Sequence, residues 1–425
     1  GDFEETLYAR VLASDIHDAY GNTILHAGDM IDKKKLALIL ESDVDVVNLR
    51  SPMICKTVSG VCQKCYGMDL ATREIVRLWT PVGIIAAQSI GEPSTQLTMD
   101  TFHKWWVVSA GEDMAQGIDR VKQLFEVRKP KTSAIIAPFD GIVRFTEKGK
   151  MRFMSLESQF EKETLLFKDG YEVTVKKGTS LVKGSVYAVK GASKMKVKDD
   201  GMVLEVHKDH IVFGTKKLVE YSLIGLNPLG INEWDEVFKG QILTSGAVDI
   251  KEYQDIVGDI EAMKYMLREV NAVYGVQGQA INDKHIEIII KQLFSKVFIY
   301  DAGDSSLIPG SHAKYEDVVS INKELVSAGK RPCVFKRMVL WLTSIAKETD
   351  SWLSSASFQE TIRVMVDASL KGAVDDLSDL KSNVIIGRLL PIGQEFIDRQ
   401  EKSAFDLSMT QDNTTIVEES EEVVS

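Results

Sequence analysis

Apolar and polar positions alternate near the start of the chain, at Leu7, Ala9 and Val11, and then take up helical spacing from Asp32 to about Leu40. The two patterns together predict a small mixed unit. Thr80-Pro81 opens an apolar run from Val82 to Ile90, with Thr80 placed to cap a helix and Pro81 suited to its first turn. Gly91-Glu92-Pro93 is expected to end that helix, and a second helical run follows from about Thr95 to His103. A loop around Ser109-Ala110-Gly111 separates it from a third helix at about Asp119 to Val127. From Lys131 to about Gly246 the pattern turns strand-like, with turns at Asp140-Gly141, Asp169-Gly170 and Asp200-Gly201. Helices are expected again at about Asp249 to Tyr274, Asp283 to Leu293, Tyr315 to Ser327 and Ser351 to Leu370, the last closed by Gly372. No internal repeat stands out, which argues against a solenoid.

With 425 residues, 44% hydrophobic and 27% charged, the chain can bury several cores. Two to four units are expected. No apolar run approaches the roughly 20 residues of a membrane span, and the opening Gly-Asp-Phe-Glu-Glu is neither a signal peptide nor an initiator methionine, so a cytoplasmic fragment or processed product is expected. A net charge of −11 argues against a free-standing nucleic-acid binder, which would carry a basic face. Glu418, Glu419, Glu421 and Glu422 follow a polar run from Gln411 to Thr415 and predict a disordered acidic tail over 401–425.

The chain's 4 cysteines do not make a disulfide framework, and Cys55, Cys62 and Cys65 crowd into one short stretch. Cys62 and Cys65 have two residues between them, with Tyr66-Gly67 after them, a tight turn of the kind that offers thiolates to tetrahedral zinc. Three ligands leave the tetrahedron one short. A redox role for Cys62-Gln63-Lys64-Cys65 would call for a preceding strand and a helix opening on the first cysteine, and neither signal is clear. Cys333, far off in the chain, reads as an ordinary thiol.

The run Gly83-Ile84-Ile85-Ala86-Ala87-Gln88-Ser89-Ile90-Gly91-Glu92-Pro93, followed by Thr95-Gln96-Leu97-Thr98-Met99 and Thr101-Phe102-His103, resembles the trigger-loop region of the largest (beta-prime) subunit of bacterial DNA-dependent RNA polymerases. The resemblance continues through Gln116-Gly117, Arg120-Val121 and Leu124 to Lys131, and returns at Ile281-Asn282-Asp283-Lys284-His285-Ile286-Glu287. Ala356-Ser357-Phe358-Gln359-Glu360-Thr361, Arg363-Val364 and Ile386-Gly387-Arg388-Leu389 resemble the switch region near the end of that subunit.

The resemblance implies an α+β, multi-domain fold: a mixed α/β unit with a zinc knuckle at 1–75, a helical trigger-loop hairpin at 76–131, a β-rich jaw module at 132–247 and a helical scaffold with the switch region at 248–400. It implies a part in RNA synthesis. Met99 would pack on the incoming base and Gln96 would lie near its sugar, while Asp100 stands where the family has a phosphate-contacting arginine. His103 would approach the phosphates as positional catalyst or acid, a role that suits an imidazole near neutral pH. Phe358, Gln359 and Arg363 would belong to the clamp hinge on DNA. The zinc of Cys55, Cys62 and Cys65 would take its fourth cysteine from outside this chain, and magnesium would be held by another segment, since no Asn-Ala-Asp-Phe-Asp-Gly-Asp motif occurs here. The implied partners are the amino-terminal part of beta-prime, the beta, alpha, omega and sigma subunits, template DNA, RNA and nucleoside triphosphate, in a nucleoid-associated setting.

Plainer readings stand beside these. His103 on its own spacing is also a cation at a helix end, the Phe358 segment is also an amphipathic core helix, and the chain as a whole is also readable as a non-catalytic zinc-stabilised module. The tip departs from the family pattern, with Trp105-Trp106 in place of two glycines and Ser94 in place of the hinge glycine. Asp100 would aim negative charge at a triphosphate and two indoles would burden a segment that must refold, which predicts slow nucleotide addition. The tryptophans are equally readable as surface anchors.

Overall fold

The computed structural model describes residues 2–18, 21–42, 44, 46–58, 60–104, 117–149, 151–158, 161–166, 172–190, 193–197, 201–207, 210–215, 217–276, 278–390, 392–393, 396 and 398, with backbone alone at 2, 95–104, 161–164, 166, 172, 193 and 215. The fold is mixed α+β. It divides into two compact units, one made of Gly1–Ala110, Ala115–Arg128 and Met263–Ser425, the other of Gly111–Met114 and Lys129–Ala262. The expected loop tip around Ser109-Ala110-Gly111, with Trp105-Trp106, and the acidic tail lie outside the described residues.

In the first unit, Ile16–His17 pairs antiparallel with Thr23–Leu25, and the helix Lys33–Glu41 follows a side-chain cap in which Asp32 accepts from the Lys35 amide at 2.8 Å. Leu7, Leu12, Ile16, Leu25, Ile31 and Ile39 close a core beneath them. The helix Asp283–Leu293 begins where the Asn282 side chain accepts from the Lys284 amide, and it buries Ile286, Ile290 and Leu293. Those positions repeat at helical spacing, so one face of the helix is apolar throughout. This helix packs against both the short turn Pro52–Ile54 and the long helix Val82–Lys104.

The long helix corrects one expectation. Gly91-Glu92-Pro93 does not end it: the helix runs unbroken to Lys104 with Pro93 inside. Proline gives up the amide that would reach the Ser89 carbonyl and strains the preceding turn, at a cost of about 3 kcal/mol. The hydroxyls of Ser94 and Tyr274 both reach the next carbonyl along, that of Ile90, at 2.6 and 3.2 Å.

Two other helices divide where single runs were expected. Gly258, at φ +94°, separates Ile250–Val257 from Asp259–Val276, and residues 357–360, with Glu360 at φ +57°, separate Trp352–Ala356 from Thr361–Lys371. Gly372 does close the last of these in left-handed geometry. The region expected to be helical scaffold also contains an antiparallel sheet, with Lys296–Asp301 between His312–Lys314 and Val334–Arg337. Its three strands are short, and the alternation in them is too brief to stand out beside the flanking helices. Cys333 is buried in the core of that sheet with Val297, Ile299 and Val318.

The second unit is β-rich. One antiparallel sheet runs in the order Leu218–Ser222, Met151–Ser158, Gly141–Lys148, Glu236–Val237, over a core of Val143, Met154, Leu156, Val237 and Leu243. Another runs Glu161–Leu166, His210–Thr215, Gly201–Val206, Ser180–Leu181, over Val203, Ile211 and Phe213. Glu172–Val173, Val186–Lys190 and Ser193–Lys196 form a third.

Candidate functional site

The three cysteines of the knuckle converge. Their sulfurs all lie within 4.8 Å of one another, with Cys55 and Cys65 buried and Cys62 half-buried. A tetrahedron with Zn–S near ~2.3 Å sets its sulfurs roughly 3.8 Å apart, so the cluster needs little adjustment to close on an ion. The backbone already treats these sulfurs as acceptors: the Cys62 amide donates to Cys55 Sγ and the Cys65 amide to Cys62 Sγ, each at 3.4 Å. Amide donors of this kind stabilise thiolates. Hydrogen bonding from the Cys65 thiol, together with the amide of Cys62 and the hydroxyl of Thr57, pulls Cys55 down to about 3, and the same sharing pushes Cys65 up. One proton therefore leaves the cluster readily and another is held unless a cation replaces it. Arg50 extends Nη2 to within 3.7 Å of Cys65 Sγ, and the neighbouring sulfurs of Cys65 and Cys62 raise the pKa of its guanidinium. The donor set fits zinc, and Cys55, Cys62 and Cys65 would hold it.

Beneath the knuckle lies a buried polar cluster that sequence reading missed. Gly67 turns the chain at φ +82° with its α-carbon against the Ala9 carbonyl, so close that an added Cβ would lie 2.5 Å from that oxygen. Lys284, fully buried, donates to the carbonyls of Ala9 at 3.1 Å and Met68 at 2.8 Å and lies over the Tyr66 ring. Burial, with Arg10 nearby, pushes its pKa down to about 7. Arg10 is in turn held by Glu287 at 2.6 Å, both side chains almost wholly buried. Next along, His285 is held down to about 4 by burial, with Lys284 and Arg10 adding to the effect. One turn of the Asp283–Leu293 helix thus ties the amino-terminal segment to the knuckle. The only sequence signal was the polar run Asn282-Asp283-Lys284-His285, which reads equally well as an exposed helix start.

Gln96, Met99, Asp100 and His103 all fall on the last turns of the long helix. Their spacing of three, four and seven residues places them on one stripe of a 3.6-residue repeat. Their side chains lie outside the described residues. The base of this helix is held laterally by Tyr274, whose buried hydroxyl lies 2.6 Å from Ser94 Oγ. The helix Ile118–Phe125 is fastened to Asp259–Val276 by Arg120, which reaches Glu269 at 2.7 Å and the Tyr265 hydroxyl at 3.1 Å.

Phe358, Gln359 and Arg363 form a separate, exposed cluster about the break before Thr361–Lys371. Phe358 carries Lys381 Nζ 5.6 Å from its ring centre, and Arg363 donates to Glu360 at 3.1 Å. Ile362, Met365, Val366 and Leu370 of the following helix are all exposed, so this helix is not interior to the chain. Among the described residues no helix is long and apolar enough to cross a membrane.

The family model for RNA polymerase Rpb1, domain 5, matches residues 15–366. The DNA-directed RNA polymerase subunit beta' of Caldanaerobacter subterraneus subsp. tengcongensis is 39% identical over 389 residues, covering 92% of this chain and 28% of that protein. The subunit beta' of Thermoanaerobacter pseudethanolicus is 39% identical over 392 residues, with the same two shares of 92% and 28%. That of Bacillus licheniformis is 36% identical over 391 residues, again 92% of this chain and 28% of its own length. The chain therefore spans somewhat more than a quarter of the length of these relatives.

Proposed function

Because the chain belongs to the RNA polymerase Rpb1 domain 5 family, we propose that its long helix is the moving element that seats the incoming ribonucleoside triphosphate during DNA-dependent RNA synthesis. The observation that carries this reading is the unbroken helix from Val82 to Lys104, which puts Gln96, Met99, Asp100 and His103 on one stripe beyond a proline and is fastened at its base by neighbouring helices. Phosphoryl transfer to RNA asks mainly for alignment and charge stabilisation, and a helix that folds onto the substrate can supply both. In this reading Met99 packs on the base, Gln96 meets the sugar, and His103 donates a proton or hydrogen bond at the phosphates.

In this reading the catalytic magnesium belongs to carboxylates of another segment. Activity then requires assembly with the remaining polymerase subunits, and the chain is inactive alone. Zinc at Cys55, Cys62 and Cys65, completed by a fourth ligand from outside the chain, stiffens the base against which the Asp283–Leu293 helix packs. Phe358, Gln359 and Arg363 meet the nucleic acid or the clamp, with Arg363 released from Glu360 to a phosphate.

The test is co-purification followed by primer extension. An aspartate-bearing partner should accompany the chain, and the mixture should extend an RNA primer on template DNA with a rate that falls on His103→Ala. A complex that forms but extends no primer would favour the non-catalytic zinc-stabilised module instead.

A further inference from the structure

Three oxygens meet at the proline of the long helix. Ser94 Oγ lies 2.6 Å from the Ile90 carbonyl and 2.6 Å from the Tyr274 hydroxyl, and that hydroxyl reaches the same carbonyl at 3.2 Å. Two hydroxyl protons serve these three close pairs, so the arrangement makes about two hydrogen bonds at any instant and both side chains share them. Tyr274 is fully buried, and desolvation raises its pKa, so it stays a neutral donor across the physiological range. The carbonyl they hold lies one residue past the one that Pro93 leaves without an amide.

We propose that Ser94 and Tyr274 form a hydroxyl latch that biases the long helix toward its continuous form and so sets how readily the turns beyond Pro93 melt. Helical turns propagate from turns already formed. Residues 95–104 can therefore stay helical only while the 90–94 turn does, and that turn, weakened by Pro93, is the one both hydroxyls hold. Ser94 is one of the positions where this chain departs from the family pattern, which has glycine. A glycine there would lose the hydroxyl and add backbone freedom in the same step. Tyr274 projects from a different helix, Asp259–Val276, so the latch also joins the moving element to a fixed neighbour. Ser94 and Tyr274 act here as positioning residues. Their importance for nucleotide addition rests on the reading of the 95–104 turns given above, whereas the latch itself does not.

The experiment is amide hydrogen exchange on the whole chain, followed in peptides covering 91–104 and, as an internal reference, 283–293. Tyr274→Phe should speed exchange in 91–104 by about five-fold, the scale of one net hydrogen bond, and leave the reference unchanged. In a Ser94→Ala background the Tyr274 hydroxyl still has the Ile90 carbonyl at 3.2 Å, so Tyr274→Phe should again speed exchange, and the double substitution should exchange fastest of all. Ser94→Thr, which keeps a hydroxyl for the Ile90 carbonyl, should behave like the parent. Exchange that does not respond to Tyr274→Phe, or a double substitution that exchanges no faster than Tyr274→Phe alone, overturns the latch. Faster exchange with unaltered nucleotide addition in the assembled polymerase leaves the latch standing and overturns the trigger reading.

Discussion

Lys284→Met removes a fully buried amine while nearly preserving the volume of the side chain, and it isolates the contribution of the polar cluster under the knuckle. The Met68 carbonyl loses the donor given by Lys284, and the Ala9 carbonyl keeps only the Met68 amide. Each unsatisfied group costs about 1–3 kcal/mol, and some of this is offset because the amine no longer has to be desolvated. The net loss near neutral pH comes to about 1–3 kcal/mol. The pH dependence sharpens the test. Lys284 is held at about 7 in the folded chain against 10.5 for the free side chain, so the unfolded chain binds more protons across that interval. Stability from this group therefore rises with pH above 7 and is lost as pH falls through it, at up to ~1.4 kcal/mol per unit. The neutral amine still has two protons for the two carbonyls, so its bonds persist as the charge goes. The stability difference between parent and variant should widen by about 2–3 kcal/mol from pH 7 to pH 9. Urea unfolding, read by hydrogen exchange in the Asp283–Leu293 helix, measures that difference, and carboxylates common to both proteins cancel. A difference that is flat between pH 7 and 9, or a variant as stable as its parent at pH 9, would refute the reasoning.

The remaining predictions concern the tip, the metal and the turn. Asp100→Arg, and separately Trp105→Gly with Trp106→Gly, should speed single-nucleotide addition by the assembled polymerase, because the first removes like charge from the triphosphate and the second restores backbone freedom; equal rates in stopped-flow elongation would remove the idea. Cys62→Ser should lower the zinc content of the assembled complex, and zinc should be lost as pH falls because the ligands must be thiolates, both readable by elemental analysis after gel filtration. Gly67→Ala should destabilise the first unit by about 1–3 kcal/mol or more, since its Cβ would lie 2.5 Å from the Ala9 carbonyl oxygen at φ +82°; an unchanged urea midpoint would count against the close approach.

Much of the fold was legible where one periodicity ran long enough to be unambiguous. The helices Asp283–Leu293 and Tyr315–Ser327 lie where their apolar spacing placed them, the first capped by Asn282. The β-rich unit followed from its strand alternation and Asp-Gly turns. Reading failed where a local signal was overridden by a distant partner. Pro93 is a breaker by itself, and the helix around it packs against residues far away in the chain, among them the Tyr274 hydroxyl 181 residues further on. Likewise the strands within 296–337 take their identity from pairing with one another, and their short runs carry little alternation. The convergence of Cys55, Cys62 and Cys65 was legible because ligand spacing is a local property. The Arg10, Lys284 and Glu287 cluster was not, because nothing in a lysine's sequence neighbourhood says that it will be buried against carbonyls from two other segments.

The claim on which the functional account turns is that the end of the long helix closes on a nucleoside triphosphate. Photocrosslinking measures this directly: an elongation complex containing the chain is supplied with a triphosphate bearing a photoreactive base, and the adduct is mapped by mass spectrometry. The account predicts an adduct within Thr95–Lys104, centred on Met99, that weakens when Tyr274→Phe loosens the helix. An adduct confined to other segments, with this stretch unlabelled while nucleotide addition proceeds, would contradict it.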